Sequence, residues 1–580
     1  MSSSPSKRWQ ALRRALDAWF EPVFWMWATG FAVVGAAIAV VIAWGPLEGI
    51  AHVQDEIVYE LQARHLAEGR LWEPERTPRA AHHFEFVINA DGRRYGIFPV
   101  GWPLVLALGT LFGAPLLVNP ILHAVTVLVG ASLARRVAGV SVGAVAAPLL
   151  AVNPGLLLQA ASRMSHTLSA LLTLSAFALA LGAPSRKRGV ALGTLLGWLL
   201  LTRPLDALVA SALVALTIGL AHRTALREAK PFVFALVPLA AFALVLGAYN
   251  TALEGHPLTF PQTSWFARGE PPALGDGQRY DATCNRLGFG PGHGCRWVAG
   301  TLDHTLARGL SFVWENWRLT PDLWFGGRVP ALFVLPALVT PRGRKLALLA
   351  LGTWLALSLS YSLYWYHGAA YGPRFHHSAA PLAVLAFAAG AARTASLLRL
   401  PFVVGLALTL PLGHVTAESA RELRGYWGVD GRVHALVDAW DRGPALVAVA
   451  YGPHPWVPAY LPKTSAPDTA FDAVLRRGMW IETRSPALEF AEYQPALHDE
   501  LLRRAAGRPA YLLVLHDHPG RDYLVPFARL AKPEGQRRDL PLPQPLPYYR
   551  EPLEGAEPIA HYYARRSSPR ASAHSPSFSR

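Results

Sequence analysis

The feature that most constrains this chain is a recurrence of apolar runs between Pro22 and about Val415, set apart by short loops rich in Lys and Arg. A run of about 20 apolar residues matches the hydrocarbon thickness of a bilayer when it is helical. The expected fold is therefore an α-helical polytopic membrane protein. Spans are predicted near 22–44, 115–134, 142–160, 166–183, 190–202, 204–221, 231–249, 328–341, 346–363, 377–392 and 401–417. The pieces 190–202 and 328–341 are short for a full crossing. The segment 100–113, with Pro103, reads as interfacial or re-entrant.

Composition agrees with this reading. Only 16% of the residues are charged, against about 25% in soluble globular chains. That excludes an ordinary soluble enzyme and a disordered chain. The net charge of +15 is assigned to cytoplasmic loops and basic tails, not to a nucleic-acid surface. The stretch from Ser2 to Glu21 is basic, with Lys7, Arg8, Arg13 and Arg14, and the apolar run after it is too long for a signal peptide. It reads as an uncleaved first helix.

The basic loops set the orientation. Arg135–Arg136, Arg186–Lys187–Arg188, Arg223/Arg227/Lys230, Arg342/Arg344/Lys345 and Arg393/Arg399 fall on one side with the N-terminal tail. That side is cytoplasmic, and about eleven crossings place the C-terminus outside. The expected location is the cell (inner) membrane. The predicted organisation is a cytoplasmic tail over 1–21 and a transmembrane domain over 22–417 with outer loops 45–114 and 250–328. An extracytoplasmic α/β domain over 418–564 and a disordered Ser/Arg/Pro-rich tail over 565–580 follow. In the α/β domain, Ala445 to Tyr451 and Tyr511 to Leu515 read as strands, and Ala496 to Ala506 as a helix.

The two cysteines, Cys284 and Cys295, lie in the second outer loop within CNRLGFGPGHGC. An oxidising compartment favours a disulfide between them; two unpaired thiols are the alternative. Neither forms a CxxC, which leaves a zinc or iron–sulfur site with little support. The same loop holds Trp265, Trp297, Trp314, Trp317 and Trp324 with Asp276, Asp281 and Asp303. Its tryptophans read either as interface anchors or as platforms for sugar rings. Ser311 to Trp317 reads as a helix lying on the surface.

The first outer loop opens with HVQDEIVY. Asp55 and Glu56 start a stretch in which Val53, Ile57 and Leu61 share one helical face, as in a helix lying on the membrane. Three readings of Asp55 stand. It caps the helix, it is a general base toward an acceptor hydroxyl or amine, or it helps to hold a metal ion. Farther on come YGIFPVGWPL (Tyr95 to Leu104), LTRP around Arg203, and AYGPRFHH with Tyr371, Arg374, His376 and His377. Arginines at a membrane boundary are costly and are functional candidates. Two on the side of the carboxylates suggest an anion site; snorkelling to the interface is the other reading.

In their order along residues 20–415, these elements resemble the C-type glycosyltransferases (GT-C fold). The nearest group is the bacterial branch of the protein O-mannosyltransferase and aminoarabinose-transferase superfamily. The resemblance implies an inverting transferase that moves a hexosyl or pentosyl unit from a polyprenyl-phosphate carrier to an envelope acceptor. It implies that Asp55 deprotonates the acceptor, that Glu56 positions Asp55 or the acceptor, and that Arg374 and Arg203 stabilise the departing phosphate. Tyr371, His376 and His377 are then placed at the donor head, with His166 also counted among the residues that bind the donor. Many members of the family carry a second acidic residue where this chain has Ser162-Arg163-Met164-Ser165-His166-Thr167, without a carboxylate. Either His166 takes that role or the acceptor differs, and a structural His166 is the plainer reading. With few carboxylates to hold a hard cation, no cofactor and no divalent metal are expected. The partners implied are membrane lipid, the lipid-linked donor and the acceptor, with no nucleic acid.

Two other functions compete. A transporter or flippase favours internal repeats and midplane charges, but no repeat is visible and the charged candidates gather on one side. A structural protein that binds a partner through its C-terminal domain is the third. The sugar and the acceptor (lipid, glycan or protein) are left open.

Overall fold

The computed structural model describes residues 21–221, 226–267, 304–364, 368, 370–398, 401–451, 485, 487–494, 497–516, 519–527 and 556–559. Cys284 and Cys295, Trp297, Asp276, Asp281, Asp303, residues 1–20 of the basic tail and the tail 565–580 lie outside them. The chain divides into two compact units.

The first unit is helical. Its principal helices are α1 (Phe24–Trp44), α2 (Gln54–Ala67), α3 (Gly101–Leu111), α4 (Val118–Ala138), α5 (Val140–Ala151), α6 (Pro154–Ala161) and α7 (His166–Ala180). They continue with α8 (Arg186–Thr202), α9 (Pro204–Ala221), α10 (Leu236–Glu254), α11 (Leu306–Phe325), α12 (Pro341–Ser362) and α13 (Ala380–Leu398). Among the described residues six helical segments are long and apolar enough to cross a bilayer: Phe24–Trp44, Pro115–Ala138, Pro204–Ala221, Ala229–Glu254, Pro341–Ser362 and Arg374–Ala395. Their outer faces carry exposed Met26, Val41, Leu216, Val237, Leu244 and Leu359. Water does not favour so many large apolar side chains on one surface, whereas lipid does. This is a multi-pass membrane protein.

The expected count of eleven also takes shorter pieces as crossings. His166–Ala180 and Arg328–Leu338, both in that count, are apolar but shorter than the six, as is Gly101–Leu111, which lies in the segment read as interfacial or re-entrant and is outside the count. The span expected over 142–160 is two helices, α5 and α6, bent by 49°. The cause is local. Pro154 begins α6, and Asn153 caps it by accepting from the Leu156 N–H at 3.1 Å. The Asn153 Nδ2 then donates to the Trp324 carbonyl at 2.8 Å. The expected surface helix at 311–317 is part of the longer α11, which exposes Leu306, Leu310, Trp314 and Trp317 at helical spacing.

The second unit takes in Pro74–Arg94 and the described residues from Gly425 onward. It is built on a five-stranded sheet of β1 (Ala445–Tyr451), β2 (Leu488–Glu492), β3 (Ala510–Leu515), β4 (Tyr523–Pro526) and β5 (Glu557–Pro558), in the order β2-β1-β3-β4-β5. The central β1 pairs in parallel with β2 and β3, and β4 runs antiparallel to β3. Every residue of β1 is buried, as its unbroken apolar run ALVAVAY requires of a strand covered on both faces. The helix α14 (His498–Ala505) packs Leu501 and Ala505 into the core with Leu446, Ala448, Leu512 and Val514. Arg432 is buried in this unit and bonds to Asp430 and to Asp522. Burial lowers its pKa, but the two carboxylates outweigh that and raise it.

Candidate active site

The site lies in the first unit and begins with α2. Its Val53, Ile57 and Leu61 face is buried as the periodicity predicts, but Gln54, Glu56, Tyr59, Gln62 and His65 are buried too. The helix is therefore enclosed by protein rather than laid on lipid. Glu56, Tyr59 and the Gln62 amide nitrogen have hydrogen-bond partners inside the fold, which offsets the cost of burying them.

Glu56 caps this helix. One of its oxygens accepts from the His52 N–H and the Val53 N–H, both at 3.0 Å, and from the Tyr371 hydroxyl at 2.7 Å. Its other oxygen accepts from the Arg163 N–H at 2.7 Å. At 1% exposure and with four donors, this carboxylate joins three distant stretches of chain. The capping reading considered for Asp55 thus falls on Glu56. Asp55, one residue earlier, instead accepts from Arg374 Nη1 at 3.1 Å. That side chain is 15% exposed and the arginine's 7%.

Arg203 stands between α8 and α9. Its Nη2 donates to the Tyr361 hydroxyl at 2.6 Å, and its Nη1 bonds to His166 Nε2 at 2.9 Å. A guanidinium has no acceptor, so His166 Nε2 must accept and the ring proton sits on Nδ1. His166 is therefore a support for Arg203. The arginine's Nε is 3.3 Å from Asp206. Tyr59 bonds to Ser165 at 3.2 Å and packs against Phe98, ring centroids 4.5 Å apart and tilted by 37°. Burial, with Asp55 nearby, pushes the Tyr59 phenol up to about 12; it stays protonated and can donate.

YGIFPVGWPL ties these parts together. A Cβ on Gly96 would come within 2.5 Å of Val58 Cγ1, and one on Gly101 within 2.7 Å of both the Leu201 backbone and Thr202 Oγ1. Only glycine allows α2 and the LTRP corner to approach this closely. The Phe98 carbonyl accepts from Gln62 at 2.7 Å, and the Trp102 indole donates to the Arg163 carbonyl at 2.9 Å. Asn119 donates to the carbonyls of Ser162 and Met164 at 2.7 and 2.9 Å. The turn without a carboxylate is thus pinned by Asn119, Trp102 and Glu56, while the Arg163 side chain pairs with Glu60.

Tyr371 sits at φ +53°, in the left-handed region. Gln159 holds it there by donating to the carbonyls of Ala370 and Tyr371 at 2.9 and 3.2 Å. The strain is offset by two hydrogen bonds that aim the phenol at Glu56.

Of the residues expected from sequence, Asp55 and Arg374 form one direct pair, and Glu56 and Tyr371 another. Arg203 and His166 form the third. His376 is not joined to them: it is buried beside Trp354, ring centroids 5.9 Å apart. Sequence reasoning passed over Gln159, Asn119, Ser378 and Asp206. A carboxylate in an apolar helix is itself a signal, and it marks Asp206 within α9.

No family model matches the chain, and no curated protein matches it. Among solved structures it is similar to ArnT from Cupriavidus metallidurans in the apo state: 16% identity, TM-score 0.44, covering 84% of this chain and 93% of that one. The same transferase bound to undecaprenyl phosphate gives 17% identity and a TM-score of 0.43, with the same coverage. The Archaeoglobus fulgidus oligosaccharyltransferase gives 14% identity and 0.38, over 72% of this chain and 60% of that one. ArnT, an aminoarabinose transferase, and the archaeal enzyme are both GT-C membrane glycosyltransferases, the group that the sequence motifs resemble. These scores mark a distant likeness that carries nothing about this chain's chemistry.

Proposed function

We propose that this chain is an inverting glycosyltransferase that moves a sugar from a polyprenyl-phosphate carrier to an acceptor outside the membrane. The observation that carries the reading is the Asp55–Arg374 pair at 3.1 Å. It sets a candidate base beside a candidate phosphate ligand, and the motifs around it follow the family's order.

The chemistry follows from the two charges. Asp55 takes the proton from the acceptor hydroxyl or amine as the acceptor's lone pair attacks the anomeric carbon. The bond from that carbon to the carrier phosphate breaks, and its electrons pass to the phosphate. Attack opposite the leaving group inverts the anomeric centre. Arg374 and Arg203 receive the charge that accumulates. As Asp55 is protonated its hold on Arg374 weakens, which frees that donor for the phosphate. Glu56 positions Asp55 and Tyr371, since its own oxygens already accept four bonds. No step is assigned to a divalent metal. An extracytoplasmic site, with a cytoplasmic N-terminus and 418–564 as an outer domain, belongs to the same proposal.

The test is release of free polyprenyl phosphate from a panel of polyprenyl-phosphate sugars by the purified protein, with an envelope extract as acceptor. Release that depends on the extract supports the transferase. Donor binding without release, joined to movement of the lipid-linked sugar across liposome bilayers, would favour the flippase.

A further inference from the structure

Asp206 lies on the first turn of α9, three residues after Arg203, and is 3% exposed. A buried carboxylate in an apolar helix is costly unless it is paired. Each of its oxygens has a partner. Oδ1 accepts from the Tyr361 hydroxyl and Oδ2 from the Ser378 hydroxyl, both at 2.7 Å. Oδ1 is also 3.3 Å from Arg203 Nε, and the same Tyr361 hydroxyl accepts from Arg203 Nη2. Ser378 stands on the short helical segment Arg374–Ala379 that Arg374 begins. On that segment Phe375 stacks on Tyr361 at 4.4 Å and 13°, with the Arg374 guanidinium 5.3 Å from the Phe375 ring.

One carboxylate therefore grips the guanidinium of Arg203 and the segment that carries Arg374. These two cations come from distant parts of the chain and repel each other. A phosphate held by both needs them at a set separation, because misplacement of the order of 1 Å forfeits much of a site's effect. A carboxylate near a phosphate would ordinarily be a liability. Here both oxygens are turned toward hydroxyl donors.

We propose that Asp206 is the positioning residue for the carrier phosphate, setting the separation of Arg203 and Arg374 through Tyr361 and Ser378 without touching the substrate. This rests on the reading above that the carrier is a polyprenyl phosphate.

The experiment measures thermal stabilisation of the full chain in detergent by a short-chain polyprenyl phosphate, with the matching polyprenyl alcohol as control, in wild type, Asp206→Asn and Ser378→Ala. The wild type is expected to bind the phosphate more tightly than the alcohol. Asp206→Asn is expected to lose about tenfold of phosphate affinity, the scale of one charge-assisted hydrogen bond, and Ser378→Ala less. Alcohol affinity stays unchanged in both. A merely structural role would lower the ligand-free melting temperature and leave the ratio of the two affinities as it is. Wild-type phosphate affinity in both variants overturns the assignment. If Asp206→Asn does not fold, Ser378→Ala decides by itself, since it leaves Asp206 beside Arg203. No preference for phosphate over alcohol in the wild type would instead remove the donor reading, and this assignment with it.

Discussion

Asp55 and Arg374 are 319 residues apart in sequence and 3.1 Å apart in the fold. Each lies within an enclosed site where an unpaired charge would be expensive. Neither shields its partner fully, because the Asp55 side chain keeps 15% exposure. The pair is thus both satisfied and accessible, as the base and the anion ligand proposed above, which part during turnover, need to be.

Replacing Arg374 by Ala is expected to lower kcat/KM for the lipid-linked donor by about 100-fold or more, the usual loss when one charge-stabilising donor is removed. Lys at this position should restore only part of it, because an ammonium lacks the planar fork of a guanidinium. Steady-state kinetics over a donor series checks this.

Glu56→Ala leaves the N–H groups of His52, Val53 and Arg163 and the Tyr371 hydroxyl without their acceptor. Each buried donor left unmade costs about 1–3 kcal/mol, so the variant should melt well below the wild type. Tyr371→Phe removes one of the four and should lower stability only modestly. Melting curves of both variants in the same detergent separate the hub from its spokes.

Gly101→Ala puts a methyl against the Leu201 backbone and Thr202 Oγ1, each 2.7 Å from its carbon. Overpacking of this kind costs about 1–3 kcal/mol. Because the atoms it meets adjoin Arg203, activity should fall along with stability. Gly113→Ala is the control: a Cβ there meets nothing within 4 Å, although its φ of +67° adds backbone strain. It should destabilise without a specific loss of donor affinity.

The second unit has its own pH dependence. Burial, with Arg76 and Arg94 adding to it, holds the His82 imidazole down at about 3. The unfolded chain takes up a proton near pH 6.5 while the folded one does not, so stability falls as pH drops from about 6.5 toward 3. The slope is up to about 1.4 kcal/mol per pH unit from this one group. Hydrogen exchange of β1 and β3 as a function of pH measures it, and His82→Leu should flatten the curve over that window.

Much of this was legible in the residues. Apolar runs announce the membrane class, and two of the residues singled out in the sequence, Asp55 and Arg374, meet in the fold. ALVAVAY reads as a strand and is one. What was not legible depends on who meets whom. Gln159 and Asn119 are single amides within or beside apolar runs, and nothing in their neighbourhood shows that one holds Tyr371 and the other the turn after α6. The shared face of Val53, Ile57 and Leu61 reads correctly, but periodicity on one face says nothing of what covers the opposite one. Asn153-Pro154 carries a break signal, and the apolar run on both sides of it hides the bend.

The most direct measurement is single-turnover transfer by Asp55→Asn alongside the wild type, in protein shown to bind polyprenyl phosphate equally well. Asparagine keeps an acceptor for Arg374 and removes the base. Transfer slowed by about 100-fold or more, with binding intact, is the expected result. Transfer at the wild-type rate would contradict the assignment of Asp55 as the group that takes the acceptor's proton.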